Sequence, residues 1–495
     1  MNPLLDENVQ INFSKEKSNW YGKFKNKTLR VALCIYKNDT NLVSIPISSI
    51  SAYIKKYNPN IEVKLFHIIE HETGEKYSPQ GFSSFLNGWE PDLFAVSILS
   101  THWDGIKPYL TEIKNQNLNT PILVGGYQPI LRGDDTINYL PIDFLCDGDG
   151  EIPTSNLIKY LMGEIDGPVA GLWEKMRDGS IYKTPKFNLQ DLTKIPFPDY
   201  SIYEDGSGKI DINNIASNRL DKKILPVMTG RGCIYNCTYC SNSTLRKMWP
   251  NKKSFMRKYD LDEFIDELVR LKNKYDVEYF ELWDELFLGD VPYALAFFEL
   301  YKQKLGIPFS FLSRIEVMNY DVCKKAADAG CEAIYFGLES GNEEYRRKYL
   351  KRFDKNQQII DAAENCKKVG IKRVTFNIIG MPFETESEML DTLNLNKEIS
   401  PDYFYIFTYI PLKGTKLYEI AEDAGLLYDS LRTIHYTDNM FSGKVRMNIK
   451  QIGNSATEEE FRKVSKLMVD FQNTREISSS FNKYEEGKII DSKYV

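Results

Sequence analysis

The sequence predicts an α/β protein built as an N-terminal doubly wound parallel sheet, a partial (βα)6 barrel of the TIM type and a small C-terminal helical region. Two stretches carry this prediction. Residues 29–160 alternate short apolar runs with amphipathic helical segments, and the same alternation resumes at 224 and continues to about 420. Between them the periodicity fails. The expected organisation is a first domain over 1–162, a connecting segment over 163–222, the barrel over 223–420 and a terminal region over 421–495.

In the first part, Leu29 to Tyr36 reads as a strand, followed by a helix opened by Pro46 with Ile47, Ile50, Ile54 and Tyr57 at helical spacing. Strands at Ile61–Phe66, Leu93–Ser97 and Pro121–Val124 follow, with Ile106, Tyr109, Leu110 and Ile113 marking a helix between the last two. The connecting segment holds a turn signal at Arg177-Asp178-Gly179-Ser180 and a proline-rich run, Ile195-Pro196-Phe197-Pro198. Barrel strands are expected at Leu225–Thr229, Val277–Trp283, Phe309–Ser313, Ala333–Gly337, Val374–Ile378 and Tyr403–Thr408. A capping box, Thr457-x-x-Glu460, starts a last helix with Phe461, Val464, Met468 and Phe471 on one face. The final residues are polar and are expected to be loose.

Composition narrows the function. The 495 residues are 42% hydrophobic and 27% charged, with a net charge of -6, so no basic field gathers nucleic acid, and a small-molecule or peptide substrate is favoured. The N-terminus, Met1 to Glu7, has neither a basic flank nor an apolar core, and no apolar run reaches the ~18 residues of a membrane span. A cytoplasmic location without membrane partners is expected. Of eight cysteines, three fall within eight residues; Cys34, Cys146, Cys323, Cys331 and Cys366 are scattered and read as buried apolar residues.

Those three, Cys233, Cys237 and Cys240, lie in the loop that directly follows the first barrel strand, Gly230-Arg231-Gly232-Cys233-Ile234-Tyr235-Asn236-Cys237-Thr238-Tyr239-Cys240. Their spacing lets one short loop wrap three corners of an iron–sulfur cubane, with glycines permitting close backbone approach. Zinc or an electron-transfer cluster would each want a fourth protein ligand. A cluster with one open iron is a site for chemistry.

The CxxxCxxC loop after the first strand of a βα repeat resembles the radical S-adenosylmethionine (SAM) superfamily. The resemblance implies a [4Fe-4S] cluster held by Cys233, Cys237 and Cys240, with SAM on the open iron and an external one-electron reductant such as flavodoxin or ferredoxin. It implies SAM contacts from Tyr239, an aromatic placed to pack on adenine; from Asp284 or Glu285, acceptors for the SAM ammonium; and from Arg314, a fork for its carboxylate. Glu339 and Ser340, in Gly337-Leu338-Glu339-Ser340-Gly341, would lie near the ribose and methionyl group. The turns Gly380-Met381-Pro382-Phe383-Glu384-Thr385 and Pro411 to Thr415 also match the family and are expected to be structural, with Glu384 starting a helix.

Strand ends of the first domain carry Ser97-Ile98-Leu99, then Gly125-Gly126, then Cys146-Asp147-Gly148-Asp149-Gly150-Glu151. This trio is similar to the cobalamin-binding domain, a generic nucleotide-binding or flavodoxin-like domain being the alternative. The resemblance implies corrinoid contacts from Ser97, Leu99, Thr101 and His102, from Gly125, Gly126 and Tyr127, and from Gly148 and Glu151. As a cation site the acidic turn competes with a plainer reading, helix capping ahead of Ile152–Leu161. The loop Lys37 to Asn41 lacks a D-x-H-x-x-G pattern, and His67, His71 and His102 follow other strands or lie further on, so cobalamin is expected base-off without a protein histidine.

In domain order the chain resembles the cobalamin-dependent radical SAM enzymes, which implies a methyltransferase acting on an unactivated carbon through a 5'-deoxyadenosyl radical. Rearrangement, cyclisation or dehydration without methyl transfer is the enzymatic alternative. From another class comes a non-catalytic corrinoid or redox module. Methylthiolation of tRNA would want three further cluster cysteines before the barrel, where only Cys34 and Cys146 stand. After 420, Tyr428, His435, Tyr436 and Met440 form an aromatic-rich segment read as packing or cavity closure.

Overall fold

The structure is a computed structural model and describes residues 18–37, 43–69, 77–204, 222–249, 252–427, 456–473, 484–485 and 488–489. Met1 to Glu7, residues 38–41 of the first loop, His71, Tyr428, His435, Tyr436 and Met440 lie outside the described residues. The chain forms two compact units, 1–190 with 194–214, and 191–193 with 215–495.

The first unit holds a seven-stranded sheet. Its parallel part consists of β1 (Leu29–Lys37), β2 (Ile61–Ile69), β3 (Leu93–Ser97), β4 (Ile122–Gly125) and β5 (Phe144–Cys146). With β6 (Leu172–Lys175) and β7 (Ile181–Lys183) at one edge, the strand order is β2-β1-β3-β4-β5-β6-β7. That order, with helices α1 (Ile45–Tyr57), α2 (Pro79–Asn87), α3 (Trp103–Gln116) and α6 (Glu151–Leu161) between or after the strands, is the doubly wound arrangement whose ligands lie beyond strand C-termini. Two short helices, α4 (Tyr127–Leu131) and α5 (Gly133–Ile137), separate β4 from β5. The sheet core is apolar throughout: Ala32, Phe94, Val96, Ile106, Leu110, Ile122 and Val124 are all essentially inaccessible.

The turn signal at Arg177–Ser180 does more than connect. It joins β6 to β7, which extend the sheet antiparallel from β5. Gly179 sits at φ +80, and Met176 N donates to Ser180 O at 2.8 Å across the turn. Both strands are too short for periodicity to reveal.

A buried acid ties this extension to the start of the described chain. Glu174 on β6 accepts Ser18 Oγ at 2.5 Å and Tyr160 Oη at 3.1 Å, and burial pushes its carboxyl from 4.5 up to about 7. Between these values the unfolded chain has released a proton that the folded chain retains, so stability falls as pH rises from 4.5 towards 7 and is level above. The expected loss is roughly 3 kcal/mol at pH 8. Glu174→Gln should flatten that slope in denaturant titrations between pH 5 and 8; an unchanged slope would place the proton elsewhere.

The second unit is a six-stranded parallel sheet built from β8 (Ile224–Val227), β11 (Tyr279–Leu282), β12 (Phe309–Ser313), β13 (Cys331–Glu339), β14 (Lys372–Ile379) and β15 (Tyr403–Thr408). Its order is β15-β14-β13-β12-β11-β8, with helices between strands: six βα-type repeats in sequential order, the geometry of a partial barrel. Pro226 is tolerated because β8 is an edge strand. A two-residue ribbon, β9 (Gly230–Arg231) with β10 (Arg257–Lys258), frames the cysteine loop. Phe287, Phe297, Phe298, Tyr301, Phe309 and Phe311 form one aromatic layer between strand β12 and the helix Val291–Lys304.

The terminal helix Glu458–Asn473 begins at the expected capping box: Thr457 N donates to Glu460 Oε2 at 2.6 Å, and Glu460 N to Thr457 Oγ1 at 3.2 Å. Phe461, Val464 and Met468 are fully buried against Ile379, Met389, Phe404 and Ile406, and Phe471 packs edge-on to Phe404. Near the end, Tyr484–Glu485 pairs antiparallel with Lys488–Ile489. Among the described residues no helix is long and apolar enough to cross a membrane.

Candidate active site

The cysteine loop leaves β8 through Thr229 and is fixed at both ends. Gly232 adopts φ +95, and a Cβ there would stand 2.2 Å from Phe255 O, so only glycine fits. At the far end Cys240 N donates to Cys237 O at 3.2 Å, and the helix Ser241–Leu245 starts at once. In the middle, Thr238 is bolted to the rest of the barrel: its N donates to Leu350 O at 3.2 Å, its Oγ1 to Tyr349 O at 2.5 Å, and its carbonyl accepts Leu417 N at 2.9 Å. A loop held this way presents its thiols with little conformational freedom to lose.

Cys233, Cys237 and Cys240 are all free thiols. Burial pushes the Cys233 thiol up and the Cys240 thiol up to about 12, each raised further by the neighbouring cysteines. At Cys233 and Cys240 a nearby cation would be needed to favour the thiolate. Among the described residues no group of three His, Cys, Asp or Glu side chains is gathered tightly enough for a single metal ion. Three thiols on one short glycine-edged loop, spaced four and three residues apart, suit three corners of a [4Fe-4S] cubane better than a zinc ion, which would want a fourth protein ligand.

Asp284 and Glu285, left as alternatives by the sequence, have different surroundings. Asp284 is buried and already engaged: Thr229 N reaches it at 2.9 Å, Thr229 Oγ1 at 2.5 Å and Lys258 Nζ at 2.9 Å. Its work is to hold the start of the loop. Glu285 accepts Gly232 N at 3.0 Å, and burial pushes its carboxyl up.

Glu339 ends β13 at φ +66, a left-handed conformation for a side chain that must be held there by its surroundings. Its carboxylate folds back over Gly337, where a Cβ would stand 2.1 Å from Oε1, so a side chain there would displace the carboxylate. Tyr239 Oη donates to Glu339 Oε1 at 2.9 Å, joining the cysteine loop to the fourth barrel strand. Burial raises the Glu339 carboxyl, with Arg352 and Tyr239 opposing. Ser340 is fully buried; its Oγ accepts Asn342 N at 3.3 Å.

Arg314, expected as a fork for the SAM carboxylate, is engaged by protein groups. It is 8% exposed, and its Nη2 pairs with Asp354 at 2.6 Å and with Glu316. Its guanidinium lies 4.0 Å over the Tyr235 ring, and Nη1 is 3.9 Å from Cys237 Sγ. Arg352 also escaped the sequence reading. Its Nη2 donates to Gly337 O at 2.7 Å, while Nη1 lies 3.4 Å from Tyr239 Oη and 3.5 Å from Glu339 Oε1. Nothing in its local sequence sets it apart from the other basic residues of 346–352.

Glu384 does not start the helix Glu386–Ile399. Thr385 caps that helix, accepting Glu388 N and closing a capping box, whereas Glu384 is buried, accepts Met381 N at 3.1 Å and is pushed up to about 8 by burial. Its carboxylate pins the turn after β14.

In the first unit, the strand ends interlock. Ile98 N donates to Gly125 O at 2.8 Å and Gln128 N to Ile98 O at 3.0 Å. Gly126 sits at φ +97, and a Cβ there would stand 2.7 Å from both Ile98 N and O, so this glycine is demanded by the turn itself. Gly125 differs: a Cβ would meet only Cys146 Cβ, at 3.6 Å, which is ordinary contact. Leu99 is 43% exposed, and Ser97, Thr101 and Tyr127 are half-buried beside it in sequence or across the strand ends. A half-open surface of glycine backbone with an exposed leucine is the kind of cradle a large flat ligand occupies.

His102 is buried to 5% exposure, with its ring 5.4 Å from that of Tyr36. It packs inward rather than presenting itself at the strand ends. Gly148 adopts φ +148. Glu151 is a buried first-turn residue of α6, whose N-cap is Gly150 without a side-chain hydrogen bond, so the acidic turn does not cap the helix as the sequence implied.

Comparison with known proteins agrees with both units. Residues 227–395 match the model of the Radical SAM superfamily. An uncharacterized methyltransferase of Pyrococcus horikoshii is 27% identical over 350 residues, 70% of this chain and 72% of its own. A cytidylyl-2-hydroxyethylphosphonate methyltransferase of Streptomyces wedmorensis is 22% identical over 443 residues, 79% of this chain and 80% of its own. The fold matches that of the radical SAM methyltransferase TsrM from Kitasatospora setae, solved with cobalamin and a [4Fe-4S] cluster, with a TM-score of 0.66 at 16% identity over 93% of this chain and 94% of that one.

Proposed function

We propose that this chain, whose residues 227–395 match the Radical SAM superfamily and whose fold matches that of TsrM, methylates an unactivated carbon of a small-molecule or peptide substrate. The observation that carries the reading is the rigid three-cysteine loop at the C-terminal end of β8, tied by Tyr239 to Glu339, in one chain with a corrinoid-type sheet. When bound, the cluster supplies the electron that splits SAM to a 5'-deoxyadenosyl radical, and the corrinoid supplies the methyl group to the substrate.

The chain's own residues hold and shield these groups. Cys233, Cys237 and Cys240 would ligate three irons. Of the two strand-end acids, Glu285 suits the SAM ammonium, because both oxygens of Asp284 are occupied by Thr229 and Lys258. Tyr239 and Glu339, fixed to one another, would form one wall of the SAM site, where burial strengthens each polar contact they make. Ser97, Leu99, Gly125, Gly126 and Tyr127 would meet the corrinoid at the strand ends of the first sheet. His102 is buried beside Tyr36, so it would meet the corrinoid only after turning outward.

The test works whatever the substrate is. Cells expressing the chain, or its Cys233→Ala variant, are fed methionine with a deuteriated methyl group, and their metabolites and peptides are compared by mass spectrometry. A product carrying the intact labelled methyl group only with the native chain supports the assignment. A new product without label, accompanied by 5'-deoxyadenosine, would assign rearrangement or dehydration instead.

A further inference from the structure

One carboxylate stands at the centre of the charges around the cysteine loop. Asp354 follows the helical turn Arg346–Leu350, its side chain has no exposure, and three guanidinium groups converge on it. Arg314 Nη2 is at 2.6 Å, Arg346 Nε at 3.4 Å and Arg352 Nε at 3.5 Å. Arg346 serves the backbone, donating to Ser340 O at 2.6 Å and Asp354 O at 2.9 Å. The other two leave Asp354 for the site itself: Arg314 reaches Cys237 Sγ, and Arg352 reaches the Tyr239–Glu339 pair.

The charges balance. Arg314, Arg346 and Arg352 face Asp354, Glu316 and Glu339, all inside the barrel. Among the described residues only Asp354 pairs with all three cations, so its removal frees the arginines to relax away from each other. Glu316 pairs with the same Arg314 Nη2 as Asp354 but makes no such link to Arg346 or Arg352 among the ion pairs of the described residues. A guanidinium held against a cluster thiolate stabilises the reduced, more negative cluster and raises its potential.

We propose that Asp354 is the positioning residue of the cluster site, holding Arg314 on the Cys237 sulfur and thereby setting the potential at which the cluster accepts its electron. The inference rests on the cluster assignment above, but adds a residue that touches neither cysteine nor SAM-facing acid directly. It makes an opposed prediction of sign. Deleting the Asp354 charge alone would raise the cluster potential, since one negative charge is lost; releasing Arg314 from Cys237 lowers it.

The experiment is an anaerobic redox titration of the reconstituted full chain, followed by electron paramagnetic resonance, with iron counted in every sample. Asp354→Glu keeps the charge and lengthens the arm, Asp354→Asn removes the charge, and Arg314→Gln removes the cation. All three should lower the midpoint, by about 59 mV if the oxidised-to-reduced ratio shifts tenfold. In the Arg314→Gln background neither Asp354 change should lower it further, because the effect passes through Arg314. If Asp354→Asn loses iron, Asp354→Glu carries the same test with the charge balance intact. An unmoved or raised midpoint in a variant that keeps its iron overturns the inference and leaves the cluster standing. A native chain that takes up no iron overturns both.

Discussion

Cys237→Ala is expected to abolish SAM cleavage: no 5'-deoxyadenosine above background with a strong reductant, and iron reduced to a fraction of the native count after anaerobic reconstitution. Cys237 is the middle ligand of the loop, buried, with Arg314 against its sulfur, so no other donor can take its place. Because the loop is anchored through Gly232, Thr238 and Cys240 rather than through this side chain, the protein should stay folded, with a melting temperature close to that of the native apo chain. Native-level cleavage by the variant would mean that the cluster is bound elsewhere.

Gly125→Val is expected to weaken corrinoid binding by about tenfold or more, roughly 1.4 kcal/mol, while SAM cleavage persists. The two glycines of this turn separate ligand from fold. At Gly126 any side chain collides with Ile98 backbone, so its loss reports on folding. At Gly125 the backbone is an ordinary strand end of β4 and a Cβ meets only Cys146 at 3.6 Å, so the protein has room for a side chain that a bound corrinoid does not. Equilibrium titration with hydroxocobalamin, read beside 5'-deoxyadenosine formation, checks it. Unchanged affinity would move the corrinoid away from this strand end.

Much of this was legible from residues alone, because each unit repeats a strand-and-helix period and places its glycines and cysteines at strand ends. Strands β3, β12 and β15 fall where the apolar runs put them, and the terminal capping box forms as read. Strand β5, of three residues, and the antiparallel pair β6 and β7 gave no period to detect. At the site, the sequence marked the loop and the acids but could not apportion them. Asp284 and Glu285 are adjacent letters, and only the fold turns one onto Thr229 and Lys258 and the other onto Gly232. Arg314 carries no sequence sign of facing Asp354, forty residues later, and Arg352 and Asp354 flank exposed Phe353 in a stretch that reads as surface. Glu384 and Glu151 show the same limit, since acids next to helix starts proved to be buried rather than capping.

Metal counts on a single sample show whether one chain combines a SAM-splitting cluster with a corrinoid. The purified chain is reconstituted anaerobically with iron, sulfide and hydroxocobalamin, desalted, and read by absorbance and by elemental analysis. About four irons and about one cobalt per chain are expected. A protein that holds about four irons but refuses cobalt would contradict the methyltransferase assignment and leave the barrel chemistry on its own.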